Sequence, residues 1–372
     1  MQIASHPTWI EIDLNQFKKN ISLIKQFVFP AKFCLPVKAN AYGHGLYPMA
    51  KAAEEVGVDY LAVAHLKEGI DLRNAGLTLP ILVLGAIHEE QIDDLIQYDL
   101  EFTISSKFKA DLVATVCKQK GKQSKVHIEV DTGMQRTGVR PSTAVDLFFH
   151  LRLLSCFNIK GIYSHLATGD MPNDPYAEKQ IEDFTSLVSG DPFKGYPLLK
   201  HLANSGGVLF YPKSHMDMVR PSLLSFGYKP ENAPSALQEI KPCFSLKTKI
   251  SYFKVVGKGQ GISYNRKYIT EKQTRIITLP IGYGDGLKRG LSGKASVLLR
   301  EKKFPIVGTV CMDSCMVDIG DSEAYVGDEV VIIGSQGKEE ITLMEMAGLC
   351  DTIPYEVLCF FNERIPRVYS NI

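Results

Sequence analysis

An N-terminal (β/α)8 barrel followed by an all-β domain is the fold class that this 372-residue sequence predicts. Two observations predict it. From about residue 32 to 228, short apolar runs alternate with longer segments of helical period. After about residue 240 the chain changes to short runs rich in Val, Ile, Thr and aromatics, separated by Gly-rich turns at GKGQG, GYGDG and GSQGK.

The elements follow in order. TWIEIDL (8–14) reads as a strand ahead of the barrel, free to pair with the C-terminal domain, and Asn15 to Phe29 reads as a leading helix. The barrel strands are FCLPV (33–37), YLAVA (60–64), PILVLG (80–85), LEFTI (100–104), KVHIEV (125–130), IKGIYSH (159–165), LKHLA (199–203) and MDMV (216–219). Between them LYPMAKAAEEVG, KEGIDLRNAG, EEQIDDLIQYD, SKFKADLVATVCKQKG, PSTAVDLFFHLRLL and YAEKQIEDFTSLVSG repeat apolar residues at three and four, and four of them end in or near Gly. A short helix, SGGVLF, follows LKHLA. Eight such units over roughly 200 residues fit a closed barrel. An open doubly wound sheet is the alternative, but no GxGxxG follows the first strand. The β-domain strands lie in SLKTKISYFKVV, TRIITLPIG, ASVLLR, FPIVGTVCMDSCMVDI and EVVIIG, with a helical piece at TLMEMAGLCDT (342–352). The domain junction is expected in 228–242, which divides the chain into a barrel at 15–235 and a β-domain made of 1–14 plus 236–372.

A net charge of +1, with 22% charged residues, gives no footprint for nucleic acid or a membrane surface. The N-terminus lacks a basic region followed by an apolar run, and no apolar stretch is long enough to span a bilayer, so a cytoplasmic protein is expected. The eight cysteines sit in apolar surroundings and read as reduced, buried thiols. Cys311 and Cys315 lack partners at zinc-site spacing, and Asp313 and Asp318 lack a nearby histidine, so no metal is expected.

In a barrel, chemistry collects at the C-terminal ends of the strands. There stand Lys38 after strand one, Glu129 and Arg136 around strand five, His165 after strand six, Asn204 and Ser205 with two glycines after strand seven, and Arg220 after strand eight. A desolvated lysine loses its proton more easily and becomes a Schiff-base nucleophile. The Ser-Gly-Gly turn opening a short helix suits a phosphate. Two chemistries fit these residues: pyridoxal 5′-phosphate, or an aldolase-type Schiff base with a sugar phosphate.

VKANAYGHG, DTGMQRTG, SHLA, HLANSGG, MVRPSLLSFGY, GISYNRKY, LPIGYGDG, VCMDSCMVD and TIPYEV, in this order over nearly the whole chain, resemble the motif set of the alanine racemases. The resemblance implies a homodimeric pyridoxal-phosphate enzyme with shared active sites that interconverts L- and D-alanine, in the family role of supplying D-alanine for cell-wall peptidoglycan. Lys38 would carry the cofactor as an imine and act as one base, and Tyr264 of the partner subunit would be the opposite base. Tyr42, Ser205, Tyr355 and the backbone of Ser222 would hold the phosphate. Arg220 would face the pyridine nitrogen, with His201 behind it and His165 beside the ring. Arg136 and the backbone of Met312 would receive the substrate carboxylate. Tyr283 and Tyr355 would narrow the mouth, while Cys311 and Asp313 flank Met312. Two bases on opposite faces of Cα allow racemisation without the substrate turning over.

Three positions depart from the family pattern. Glu129 stands where a carbamylated lysine is frequent and would supply its carboxylate directly to Arg136. Gln135 and Ser222 stand where glycine is usual, and a side chain costs stability there if φ is positive. The alternatives are a serine or broad-specificity racemase, a decarboxylase of the same architecture, and a pyridoxal-phosphate-binding barrel without turnover. Tyr264 weighs against the decarboxylase, and the β-domain with Tyr264 and the Cys311-Met312-Asp313 segment against the barrel without turnover.

Overall fold

The computed structural model describes residues 6–370. The chain divides into two compact units, one of residues 17–41 and 46–241, the other of 6–16, 42–45 and 242–370.

The first unit is a closed barrel of eight parallel strands taken in chain order: Lys32–Pro36, Tyr60–Val63, Ile81–Val83, Glu101–Ile104, Ser124–Glu129, Phe157–Tyr163, Leu199–His201 and Met218–Val219. Pairing of Lys32 with Met218 and of Phe33 with Val219 closes the ring. The predicted apolar runs are these strands, because parallel strands buried on both faces lose the polar alternation of a half-exposed sheet. Cys34, Tyr60, Ala62, Leu82 and Met218 pack as one buried cluster against Leu84 and Leu199.

The helices start and stop where the local chemistry dictates. Ser106 accepts from Lys109 N at 3.1 Å to cap Lys107–Lys120, which ends at Gly121 with φ 62°. Asp174 caps Pro175–Ser189, and proline opens both that helix and Pro141–Leu153. The leading helix, Leu14–Val28, buries Phe17, Ile21, Ile24 and Val28 on one face, and Phe17 stacks on Phe226 at 5.6 Å.

The second unit is built on a ten-stranded sheet. Thr8–Asp13 joins it, antiparallel to Phe244–Lys249 and parallel to Arg367–Ser370. Arg367 ties residues 42–45 to this unit by donating from Nε to Gly43 O at 3.0 Å and from Nη2 to Phe361 O at 2.7 Å. Pro354–Phe360 is a helix that the sequence reading did not anticipate. Of the cysteines, Cys34, Cys117, Cys243 and Cys315 are buried, as expected, but Cys156, Cys311 and Cys350 are only half-buried and Cys359 is exposed; none of the eight is in a disulfide. Among the described residues no helix is long and apolar enough to cross a membrane.

Candidate active site

The barrel unit holds Lys38, Glu129, Arg136, His165, His201, Asn204, Ser205, Arg220 and Ser222. Lys38 stands two residues beyond the end of the first strand and opens a turn that sequence propensity does not reveal. Ala39, Asn40, Ala41 and Tyr42 all take left-handed backbone angles, with φ of 52°, 56°, 51° and 52°. Each non-glycine residue in that region costs roughly 1–2 kcal/mol, so surrounding hydrogen bonds must hold the turn. Glu68 accepts from Ala39 N at 2.7 Å, Asn40 Oδ1 accepts from Leu46 N at 2.7 Å, and Ala41 N donates to Val37 O at 2.8 Å.

The charges of three cations act on one imidazole in this unit. Burial, then the charges of Arg220, Arg136 and Lys38, pull His165 down to about 3. His165 is therefore neutral, and its Nδ1 accepts from Arg220 Nη2 at 3.3 Å, which leaves its proton on Nε2. Arg220 is buried at 4% exposure and also donates to His201 Nδ1 at 2.8 Å, Ser164 O at 2.7 Å and Leu202 O at 3.4 Å. Burial lowers the Arg220 pKa and holds His201 well below the ordinary histidine range.

Around strand five, burial raises the Glu129 pKa, while the bond it accepts from Thr137 Oγ1 at 2.8 Å and the charges of Arg220 and Arg136 oppose the rise. Asp131 Oδ1 shapes the next turn by accepting from Gly133 N at 2.9 Å and Gln135 N at 3.1 Å. Arg136 itself is exposed. Gln135 does have positive φ, 55°; Ser222 is not among the left-handed residues, so its side chain carries no such penalty.

After strand seven, Asn204 is committed to the short helix Ser205–Phe210, accepting from Gly207 N at 2.9 Å and donating to Leu166 O at 3.2 Å. Ser205 Oγ accepts from Ser222 N at 2.9 Å and lies 3.4 Å from Ser222 Oγ. A Cβ on Gly206 would come within 2.2 Å of Gly169 O, so only glycine lets the chain pass there.

The second unit holds Tyr42, Tyr264, Tyr283, Cys311, Met312, Asp313 and Tyr355. The Tyr42 and Tyr355 rings meet edge to face at 5.9 Å. Tyr264 stands between the short strands Gly261–Ile262 and Tyr268–Ile269. Its backbone is fastened, with Ser263 Oγ donating to Thr309 O at 2.6 Å and Thr309 Oγ1 to Tyr264 O at 3.0 Å, yet its residue is 67% exposed. Cys311 Sγ is 3.5 Å from Ser263 Oγ. Tyr283 N donates to Cys311 O at 3.0 Å and Gly284 N to Met312 O at 2.8 Å. Arg364, which the motifs did not single out, bridges Asp313 at 2.7 Å and buried Asp285 at 3.3 Å, bracing the same two loops. Among the described residues no group of three or more His, Cys, Asp or Glu is arranged to hold a metal ion.

The family model described as alanine racemase, N-terminal domain, matches residues 12–230, and the alanine racemase C-terminal domain matches 243–369. The chain belongs to the alanine racemase family. It is 39% identical over 366 residues to the alanine racemase of Symbiobacterium thermophilum, covering 98% of this chain and 97% of that one. It is 38% identical over 372 residues to the alanine racemase of Methanococcus maripaludis, covering 99% and 100%. Among solved structures, an alanine racemase of Clostridium difficile 630 matches with a TM-score of 0.92 at 37% identity over 98% of this chain and 96% of that one. That of Bacillus anthracis with bound L-Ala-P matches at 0.90 and 36%, over 98% and 95%. The function of this chain is accordingly that of an alanine racemase, an isomerase.

Two further residues of the barrel unit escaped the motif reading of this alanine racemase sequence. Glu101 and His127 are buried and linked to His201. The signal that finds them is register. His127 lies two before Glu129 and Glu101 two before Thr103, and a strand of period two directs each pair to one face. An imidazole and a carboxylate inside otherwise apolar strands must have partners across the barrel.

Proposed function

We propose that the enzyme racemises alanine with pyridoxal 5′-phosphate carried on Lys38, as a homodimer in which Tyr264 acts in the partner's barrel. The residues present fit that cofactor. Lys38 offers an amine for a carbonyl carbon, Ser205 and Ser222 offer hydroxyls beside the Gly206 turn for a phosphate, and buried Arg220 offers a donor that does not readily give up its proton. The group, when bound, withdraws electrons from the substrate and so acidifies its Cα–H.

The remaining work belongs to the chain. Lys38 Nζ and the Tyr264 hydroxyl each hold or accept a proton, one on each face of Cα, so one removes what the other replaces. Arg136 orients the substrate carboxylate, with Met312 backbone as a second contact, and Glu129 supplies the negative charge that Arg136 faces in place of a modified lysine. Neutral His165 does not compete with Arg220 for a cationic role. Tyr42 and Tyr355 would add hydroxyls to the phosphate end, and Tyr283 would limit side-chain size. The observation that carries the reading is the bond from buried Arg220 to His165 at 3.3 Å at the mouth of the barrel in a chain of this family, with the charges of Arg136 and Lys38 acting on the same imidazole. The exposed Tyr264 on an anchored hairpin supports its donation to a second copy. The setting would be the cytoplasm, and the product D-alanine for cell-wall peptidoglycan.

The test follows the ellipticity of L-alanine with purified protein and pyridoxal 5′-phosphate. Decay to zero with alanine and weak decay with L-serine is the expected result; a bound cofactor with no decay for any amino acid would overturn it. For the dimer, Lys38→Ala and Tyr264→Phe are each expected to be inactive. Unfolded together and refolded, they should recover about a quarter of wild-type activity, because half of the random dimers hold one intact site of two. No recovery in a mixture shown to contain hybrids means that Tyr264 works within its own subunit.

A further inference from the structure

A string of four buried groups crosses the barrel interior. Glu101 Oε2 is 2.8 Å from His127 Nε2, His127 Nδ1 is 2.9 Å from His201 Nε2, and His201 Nδ1 is 2.8 Å from Arg220 Nη1. Exposure is 3%, 0%, 0% and 4% along the string. Water is therefore not an available partner, and the three bonds must satisfy one another.

Hydrogen-bond chemistry allows one direction only. Arginine has donors and no acceptor, so His201 Nδ1 accepts and its proton sits on Nε2. That proton is donated to His127 Nδ1, which places the His127 proton on Nε2. The Nε2–H of His127 then needs an acceptor, and ionised Glu101 can only accept. Every bond runs from the guanidinium to the carboxylate, with the two charges at the ends.

The surroundings are built around this string. A Cβ on Gly161 would sit 2.5 Å from His127 Nδ1 and 2.7 Å from Leu199 O, so the strand carries glycine where the imidazole passes. Tyr163 stacks on His201 at 4.8 Å and 16°, the Tyr60 ring packs edge-on to His127 at 6.2 Å, and the Arg220 guanidinium lies 5.1 Å from the Tyr163 ring centre.

We propose that Glu101 is a positioning residue for racemisation: its carboxylate, acting through His127 and His201, holds Arg220 in one orientation as the charged donor toward the cofactor ring. The inference rests on the reading that Arg220 faces that ring. Glu101 is too deep in the string to touch substrate, and its effect reaches the site only through two fixed imidazole tautomers. A neutral acceptor at the far end would satisfy the same hydrogen bond but remove the charge that polarises the string, leaving Glu129 as the carboxylate acting on the guanidinium.

The experiment uses the full-length protein, with and without pyridoxal 5′-phosphate, and histidine-labelled 15N NMR. In the wild type, His127 and His201 are expected as Nε2-protonated tautomers with slowly exchanging low-field N–H signals. A Nδ1-protonated His201 overturns the proposal without any mutation. Glu101→Gln keeps size and an acceptor and removes the charge. It is expected to move the His127 and His201 N–H signals upfield, shift the absorption of the bound cofactor, and lower kcat about tenfold with KM for alanine within twofold. Glu101→Asp, which keeps the charge, is expected to recover activity relative to Gln. A Gln variant with wild-type imidazole signals, cofactor spectrum and kcat makes Glu101 a merely structural partner and overturns the proposal. The imidazole signals need no turnover. A wild-type protein that shows the tautomer string yet leaves alanine unchanged would therefore refute the functional reading and not the string.

Discussion

Arg220 Nη1 donates to His201 Nδ1 at 2.8 Å, while Nη2 of the same guanidinium reaches His165 Nδ1 at 3.3 Å. One side chain thus sets the tautomer of two histidines, because neither ring can offer its own Nδ1 proton to a group with no lone pair. His165 presents Nε2–H away from the arginine, and His201 passes its Nε2–H into the barrel. The geometry makes Arg220 the hub of the barrel unit.

Arg220→Lys keeps a positive charge but loses the fork that serves four acceptors. The expected result is destabilisation by about 1–3 kcal/mol, the cost of leaving a buried acceptor without its donor. Urea unfolding of the variant against wild type measures it, and a change below ~1 kcal/mol would mean that lysine and water replace the fork.

His165 gives a pH prediction with a definite sign. Its folded pKa lies near 3, against 6.5 ordinarily. Between those values the unfolded chain binds a proton that the folded chain refuses, so stability falls as pH drops from about 6.5 to 3. One such group contributes a slope of up to ~1.4 kcal/mol per pH unit. His201, also held well below its ordinary range by burial, adds to it. His165→Gln keeps an acceptor for Arg220 and should remove one proton's share of the slope, read from unfolding curves at pH 4, 5 and 6.

Gln135 sits at φ 55° on the turn shaped by Asp131. Gln135→Gly removes the left-handed penalty of roughly 1–2 kcal/mol and returns some of it as unfolded-state entropy. The net expectation is a stabilisation of about 0.5–1 kcal/mol in denaturant unfolding. A loss of stability would mean that the glutamine side chain holds the turn.

Glu129→Lys tests whether a carboxylate is what strand five must provide. The lysine variant should lose most activity and regain it with bicarbonate, which can convert the amine to a carbamate, while wild type should not respond. An intact mass with no carbon dioxide adduct in the active wild-type protein checks the same point. A wild-type rate that rises with bicarbonate would mean that a modified lysine elsewhere supplies the charge.

The barrel was legible because its determinants are local. Buried parallel strands read as apolar runs, and the helices between them carry their own period and stops, such as Ser106 and Gly121 around Lys107–Lys120. The mouth residues were legible for a related reason: Lys38, His165 and Arg220 each stand one or two residues past the end of a strand, where a barrel presents its chemistry. The turn at 39–42 was not. Of Ala-Asn-Ala-Tyr only the asparagine favours a left-handed backbone, and Glu68, 29 residues from Ala39, is part of what holds the turn. The helix Pro354–Phe360 was also missed, being too short for its period to stand out.

The order of strands and helices, the change from barrel to β-domain and the family motifs were thus written in the chain, since each depends on neighbours within a turn or two. The string from Glu101 to Arg220 was not. Its bonds join residues 26, 74 and 19 positions apart, on three different strands and just past the end of a fourth. Closing the ring brings those strands together, and excluding water from its interior leaves their polar groups only one another to bond with.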